Sequence, residues 1–240
     1  LQQFYVRRAN RIIVPSHYLA GLVEGWGVAP SRIRVVPNAV HPAGYEFPDT
    51  TEAAKRTLGL DFPFFLTIAR LTPWKGVDRL IEVLDELPSE VRLVVVGEGP
   101  ERNTLETLAR DRGVEDRTIF TGSVAPADVS LYLKAADLFV LFTGYEGLSH
   151  VLLEALLVGL PIVASRKGGN PEVIRDRIDG LLVEHPDPGE LKKAIRELME
   201  DPSRRAELAS AAARRADDFS WPRLFAHTLE VFGETIGKSG

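Results

Sequence analysis

The chain has 240 residues, 45% hydrophobic and 26% charged, enough apolar side chain for one large domain or two small ones, which excludes disordered, collagenous and disulfide-scaffold classes. Lys and Arg number 29 against 34 Asp and Glu, and the net charge of -5 offers no electrostatic footprint for a nucleic-acid partner. With no Cys there is no disulfide, thiolate nucleophile or Cys-ligated zinc, and no apolar run approaches the roughly 20 residues that span a bilayer.

With no Cys nothing in the chain demands an oxidising compartment, so the cytoplasm is the expected location, and the opening LQQFYVRR lacks a signal-peptide core. The chain begins at Leu1 and its single Met is Met199, which reads as a fragment or a processed product. RIIV (11–14) and RIRVV (32–36) read as strands around a helix from Tyr18 to Trp26, a closing βαβ unit placed at 1–41. The Pro-, Gly- and Asp-containing stretch that follows reads as a linker, assigned to 42–60.

From Phe64 the runs FFLTIA, VRLVVV, TIFTG, DLFVLF, PIVAS and GLLVE recur at intervals of about 20 to 30 residues, apolar on both faces as buried parallel strands are. Amphipathic helices separate them, the first with Val77, Leu80, Ile81, Leu84 and Leu87 on one stripe. The prediction for 61–186 is an α/β fold, a doubly wound parallel sheet with helices on both faces. Beyond it, 187–240 reads as a C-terminal helical segment with helices at 188–199, 203–217 and 221–236, Ser220 capping the last.

Ligands of an open parallel sheet lie at the carboxyl ends of its strands, so the loops there hold the candidate residues. ARLTPWKG places Arg70 at a strand end and Lys75 at the start of the next helix, where a cation opposes the positive helix end unless an anion is bound. Two cations beside exposed amides make a cradle for a phosphate, although solvated surface charges would read the same way. VGEGPER carries Gly97 and Gly99 but Arg102 in place of a third glycine, and Arg117 where an acid would bind ribose, so it loses the dinucleotide reading. Its glycines admit either a ligand or close backbone, and Glu98 either faces that ligand or is solvated. Gly122 ends another strand, leaving the backbone of Ser123 and Val124 to pair with a planar base or simply to turn.

GYEGLSHVLLEALLVGLP (144–161) predicts a helix apolar nearly all round with Glu154 in its middle, where a buried carboxylate needs a protein cation or ligand hydroxyls. Glu146 lies eight residues earlier, next to the helix-start amides of Gly147, Leu148 and Ser149. In SRKGGNPEVI, Asn170 reads as an N-cap with Glu172 in the first turn. GKS (237–239) lacks the spacing of a phosphate loop, and GLSHV lacks the last glycine of a nucleophile elbow. His17, His41, His150, His185 and His227 show no metal-ligand spacing, and no metal is expected.

Taken in order, ARLTPWKG, VGEGPE and EGLSHVLLE, which has the E-x7-E spacing from Glu146 to Glu154, strongly resemble the family-4 retaining glycosyltransferases of the two-domain GT-B fold. The resemblance implies a Rossmann-like C-terminal domain binding a nucleotide-diphosphate-sugar donor, which is a substrate, with no cofactor and no metal required. It implies that Arg70 and Lys75 grip the diphosphate and that Glu154 holds the ribose hydroxyls. Glu146 would contact the sugar, while the amides of Gly147, Leu148 and Ser149 would meet phosphate or sugar. Ser123 and Val124 would flank the base near Gly97 and Glu98. VPNAVH (36–41) resembles the interdomain VPNGVD, with Ala39 and His41 replacing Gly and Asp.

The implied activity is transfer of a hexose-like sugar to an acceptor hydroxyl with retention, Glu146, Arg70 and Lys75 carrying the chemistry. The acceptor, a glycan, lipid or small molecule, is not identified, nor are the base and the sugar. The acceptor-binding N-terminal domain would be a missing segment or a partner chain, so this chain alone is expected to be inactive if nothing replaces it. Peripheral membrane attachment stays open for a lipid acceptor, although no basic amphipathic helix stands out. The competing readings are a non-catalytic donor-binding subunit and a nucleotide-sugar epimerase.

Overall fold

The computed structural model describes residues 2–40 and 50–236. His41 of VPNAVH, the first part of the expected linker, and the GKS tripeptide lie outside the described residues. The chain opens with α1 (Gln2–Val6), β1 (Ile12–Val14), α2 (His17–Gly25) and β2 (Ile33–Val35). The two strands pair in parallel, and Val14, Ala20, Val23, Val28 and Ile33 form a small core of their own.

The later part of the stretch read as a linker carries a helix, α3 (Thr51–Leu58). Few apolar residues mark its period, but both ends are capped: Thr50 Oγ1 accepts from the Ala53 amide at 3.1 Å, and Gly59 terminates it in the left-handed region at φ +67°. Lys55 then reaches Asp137 at 2.7 Å, tying the helix to the sheet domain.

Next come β3 (Phe64–Ile68), α4 (Val77–Leu84), β4 (Arg92–Val96), α5 (Arg102–Asp111), β5 (Thr118–Gly122), α6 (Pro126–Ala135), β6 (Leu138–Leu141), α7 (His150–Leu157), β7 (Ile162–Ser165), α8 (Asn170–Val173) and β8 (Leu181–Val183). All six strands from β3 onward are parallel, in the order β5-β4-β3-β6-β7-β8, as the doubly wound prediction requires. Alternate residues feed two cores. Phe64, Leu66, Val94, Phe139 and Ile162 face one helical layer, while Phe65, Leu93, Val95, Leu138 and Val163 face the other. Burial on both faces is why these strands read as continuous apolar runs.

The chain ends in α9 (Pro188–Glu200), α10 (Pro202–Arg215) and α11 (Trp221–Ile236). α11 returns to the N-terminal unit, where Glu234 pairs with Arg34 of β2 at 2.6 Å. Among the described residues no helix is long and apolar enough to cross a membrane. Strand order reverses between β3 and β6, so their carboxyl-end loops diverge and leave a crevice.

Candidate functional site

Lys75 and Glu146 approach that crevice from its two sides. Lys75 does not start α4 as its sequence context suggests; it ends a 3₁₀ turn, Pro73–Lys75. The cause is Gly76, at φ +65°, where a Cβ would stand 2.0 Å from the Phe142 carbonyl oxygen. Only glycine turns the chain there, and it aims Lys75 across the switch point. Lys75 Nζ donates to Glu146 Oε2 at 2.7 Å, with the two side chains 19% and 17% exposed. The anion offsetting this cation is therefore a carboxylate of the chain itself.

Arg70, Gly97, Glu98, Ser123 and Val124 line one cleft of about 440 Å³ at the carboxyl ends of β3, β4 and β5. Arg70 is exposed, and among the described residues its guanidinium has no hydrogen-bond or ion-pair partner. Glu98 pairs with Arg102 at 3.1 Å and is therefore partly committed within the chain. The two glycines serve close backbone approach: a Cβ on Gly97 would lie 2.0 Å from the Ala69 carbonyl oxygen, and one on Gly99 2.3 Å from that of Leu71. Leu71 N donates to Glu98 O at 2.9 Å, knitting the loops after β3 and β4 together.

The Glu146 loop is held from below by the turn after β7. Gly169 N donates to Glu146 O at 2.9 Å, and Gly168 sits where a Cβ would come within 2.0 Å of that same oxygen. Leu148 and Ser149 are buried, and Ser149 occupies the N-cap position of α7 without a side-chain capping bond. Glu154 is half-buried between Leu153 and Ala155, both fully buried, and does not line the Arg70 cleft. The structure thus joins Lys75 to Glu146, gathers the Arg70 group in one cleft, and leaves Glu154 one turn into α7.

A buried polar chain beneath the loops was not legible in the sequence. Thr143 Oγ1 bonds the Trp74 carbonyl at 3.0 Å and the Tyr145 carbonyl at 2.7 Å, so it spans the loops carrying Lys75 and Glu146. Ser165 Oγ donates to Thr143 O at 2.6 Å, and Asn170 Nδ2 donates to Ser165 O at 3.0 Å. Asn170 is accordingly not a cap: Gly169 holds that position, and Asn170 is the fully buried first residue of α8. Its Oδ1 has no partner among the described residues. The signal available was Thr or Ser at the end of an apolar strand run, where a hydroxyl has only loop carbonyls to bond.

The N-terminal unit also meets the site. Asn38 Nδ2 donates to Leu148 O at 3.2 Å, and the Tyr18 and Tyr145 rings meet edge to face at 5.9 Å. Behind Gly144, His185 packs on Phe142 at 4.8 Å; burial, and then the nearby Lys167 charge, hold its imidazole below the ordinary histidine range. No group of three or more His, Cys, Asp or Glu able to hold a metal ion occurs among the described residues.

Two glycosyltransferase family models match the chain. The family model described as "Glycosyl transferases group 1" matches residues 49–215, and one described as "Glycosyltransferase Family 4" matches residues 1–43. The D-inositol 3-phosphate glycosyltransferase of Xylanimonas cellulosilytica is 35% identical over 228 residues, covering 90% of this chain and 55% of that protein. The GDP-mannose-dependent alpha-(1-6)-phosphatidylinositol monomannoside mannosyltransferase of Mycolicibacterium smegmatis is 34% identical over 196 residues, 77% of this chain and 51% of that one. Among solved structures, HepE of Anabaena in complex with UDP-glucose superimposes with a TM-score of 0.87 at 25% identity, covering 99% of this chain and 68% of that chain. Sucrose-phosphate synthase from Thermosynechococcus elongatus, at 24% identity and a TM-score of 0.89 over 99% of this chain and 61% of its own, shares the fold. The chain spans about half the length of the curated relatives it matches.

Proposed function

The chain belongs to the glycosyl transferases group 1 family, and on that basis we propose that it is the donor-binding half of a retaining glycosyltransferase, taking a nucleotide-diphosphate sugar. The supporting observation is the cleft in which Arg70, without a partner among the described residues, lies with Gly97, Glu98, Ser123 and Val124 at the carboxyl ends of three adjacent strands. Ser123 and Val124 flank the base there, and Arg70 holds the diphosphate. Lys75 supplies the second cation, next to Glu146, which contacts the sugar. The amides of Gly147, Leu148 and Ser149 face phosphate or sugar, and Glu154 takes the ribose hydroxyls.

In the transfer, the acceptor hydroxyl oxygen bonds to the anomeric carbon as the bond to the nucleoside diphosphate breaks, the hydroxyl proton passes to the departing diphosphate, and the anomeric configuration is kept. Negative charge grows on the departing diphosphate, and Arg70 and Lys75 stabilise it without a metal. The acceptor and the groups that bind it belong to an N-terminal domain or a partner chain. The relatives' names make UDP and GDP the first nucleotides to test.

A thermal-shift screen against UDP, GDP and ADP tests the reading, because a ligand that binds only the folded state raises the midpoint. One nucleotide is expected to raise it in a concentration-dependent way. No shift with any of them contradicts donor binding.

A further inference from the structure

The first four amides of α2 are all satisfied, two of them by a residue more than 150 positions along the chain. Ser16 accepts from the Leu19 amide through Oγ at 3.2 Å and from the Ala20 amide through its carbonyl at 3.0 Å. The His17 and Tyr18 amides donate instead to Glu172, to Oε2 at 2.7 Å and to Oε1 at 2.8 Å. A carboxylate in that position satisfies both donors with charge-assisted bonds and complements the positive helix end.

Glu172 is itself well anchored. Arg215 donates Nη2 to the Glu172 carbonyl at 3.1 Å and Nε to the Val173 carbonyl at 3.3 Å. Just before Glu172 lie Gly168 and Gly169, which press against the Glu146 and Gly147 carbonyls. On the other side of the bond, α2 carries Tyr18 against the Tyr145 ring, and Leu19 Cδ1 lies where a Cβ on Gly147 would come within 3.0 Å. The segment from Tyr145 to Gly147 is thus touched by the α8 turn directly, and by α2, which Glu172 fastens to that turn.

We propose that Glu172 is a positioning residue for the sugar end of the donor site, latching α2 to α8 so that the Tyr145–Glu146–Gly147 segment is fixed from both sides. The inference rests on the reading of Glu146 as the donor-sugar contact. Glu172 touches neither the Arg70 cleft nor Lys75, so the latch acts on recognition of the sugar and not on the grip on the diphosphate.

The test uses the 240-residue chain as wild type, Glu172→Ala and Glu172→Gln. Amide exchange at His17 and Tyr18 reports the latch, and calorimetry compares UDP with UDP-glucose and GDP with GDP-mannose. With Glu172→Ala, those two amides should exchange about tenfold faster or more. Nucleotide-sugar affinity should fall about fivefold or more, with the nucleoside diphosphate unchanged to within about twofold. Glu172→Gln, which keeps the shape with a weaker acceptor, should lie between, and it carries the test alone if the Ala variant does not fold. Equal loss for both ligands would show general destabilisation and overturn the proposal. So would faster exchange with the sugar increment intact. A wild type that binds neither ligand would instead overturn the donor reading, and the proposal with it.

Discussion

Lys75 Nζ lies 2.7 Å from Glu146 Oε2, an ion pair that joins the loop after β3 to the loop after β6 across the switch point, above the bond from Thr143 to the Trp74 carbonyl. The two partners should respond oppositely. Lys75→Ala leaves a half-buried carboxylate unpaired and should lower stability by about 1–3 kcal/mol. It should also weaken nucleoside diphosphate binding more than about tenfold. Glu146→Gln removes a negative charge beside the proposed diphosphate site, so affinity for the nucleoside diphosphate should hold or rise while that for the nucleotide sugar falls. Calorimetry with both ligands, closed into a double-mutant cycle, checks the signs.

Arg70 differs because, among the described residues, it has no partner to lose. Arg70→Ala should leave the unfolding midpoint within the range of an ordinary surface change, about 0.5 kcal/mol. Nucleotide affinity should still fall about fivefold or more, increasingly so at low ionic strength where the charge is least screened. Urea unfolding and a titration at two salt concentrations separate the two effects.

Gly76→Ala tests the turn that aims Lys75. The native φ of +65° and the Phe142 carbonyl oxygen 2.0 Å from the added Cβ make the substitution strained on two counts. Stability should drop by about 1–3 kcal/mol, with nucleotide affinity falling as Lys75 is displaced. Gly113→Ala is the control, also at positive φ (+66°) but with nothing within 4 Å of its Cβ, and it should cost stability without affecting binding.

Burial lowers the proton affinity of His185 in the folded chain, so below the ordinary value of 6.5 the unfolded chain binds a proton that the folded one refuses. Stability from this site is therefore intact above pH 6.5 and is lost as the pH falls toward the folded value. His185→Gln removes that part of the slope. Urea midpoints at about pH 7.5 and about pH 5.5 should fall further for the wild type than for the variant.

The sheet was legible because its strands are buried on both faces, so Phe64 to Ile68 and Arg92 to Val96 stand out whatever their neighbours. Arg70 was legible as a cation at a strand end. What the sequence hides is contact between distant segments: Gly76 needs its positive φ because of Phe142, and Asn170 is buried because Ser165 lies beneath it. Glu172 reads as a first-turn acid of its own short helix, although its carboxylate serves α2. α3 escaped for another reason, since capping by Thr50 and Gly59 defines it more than any apolar stripe does.

In the proposed donor site Arg70 and Lys75 hold one diphosphate between them. The most direct measurement is calorimetry of wild type and the Arg70→Ala/Lys75→Ala double variant with a nucleoside diphosphate and with the bare nucleoside. The diphosphate should raise wild-type affinity well above that of the nucleoside, and the double variant should bind both equally weakly. A diphosphate increment that survives loss of both cations would contradict this reading.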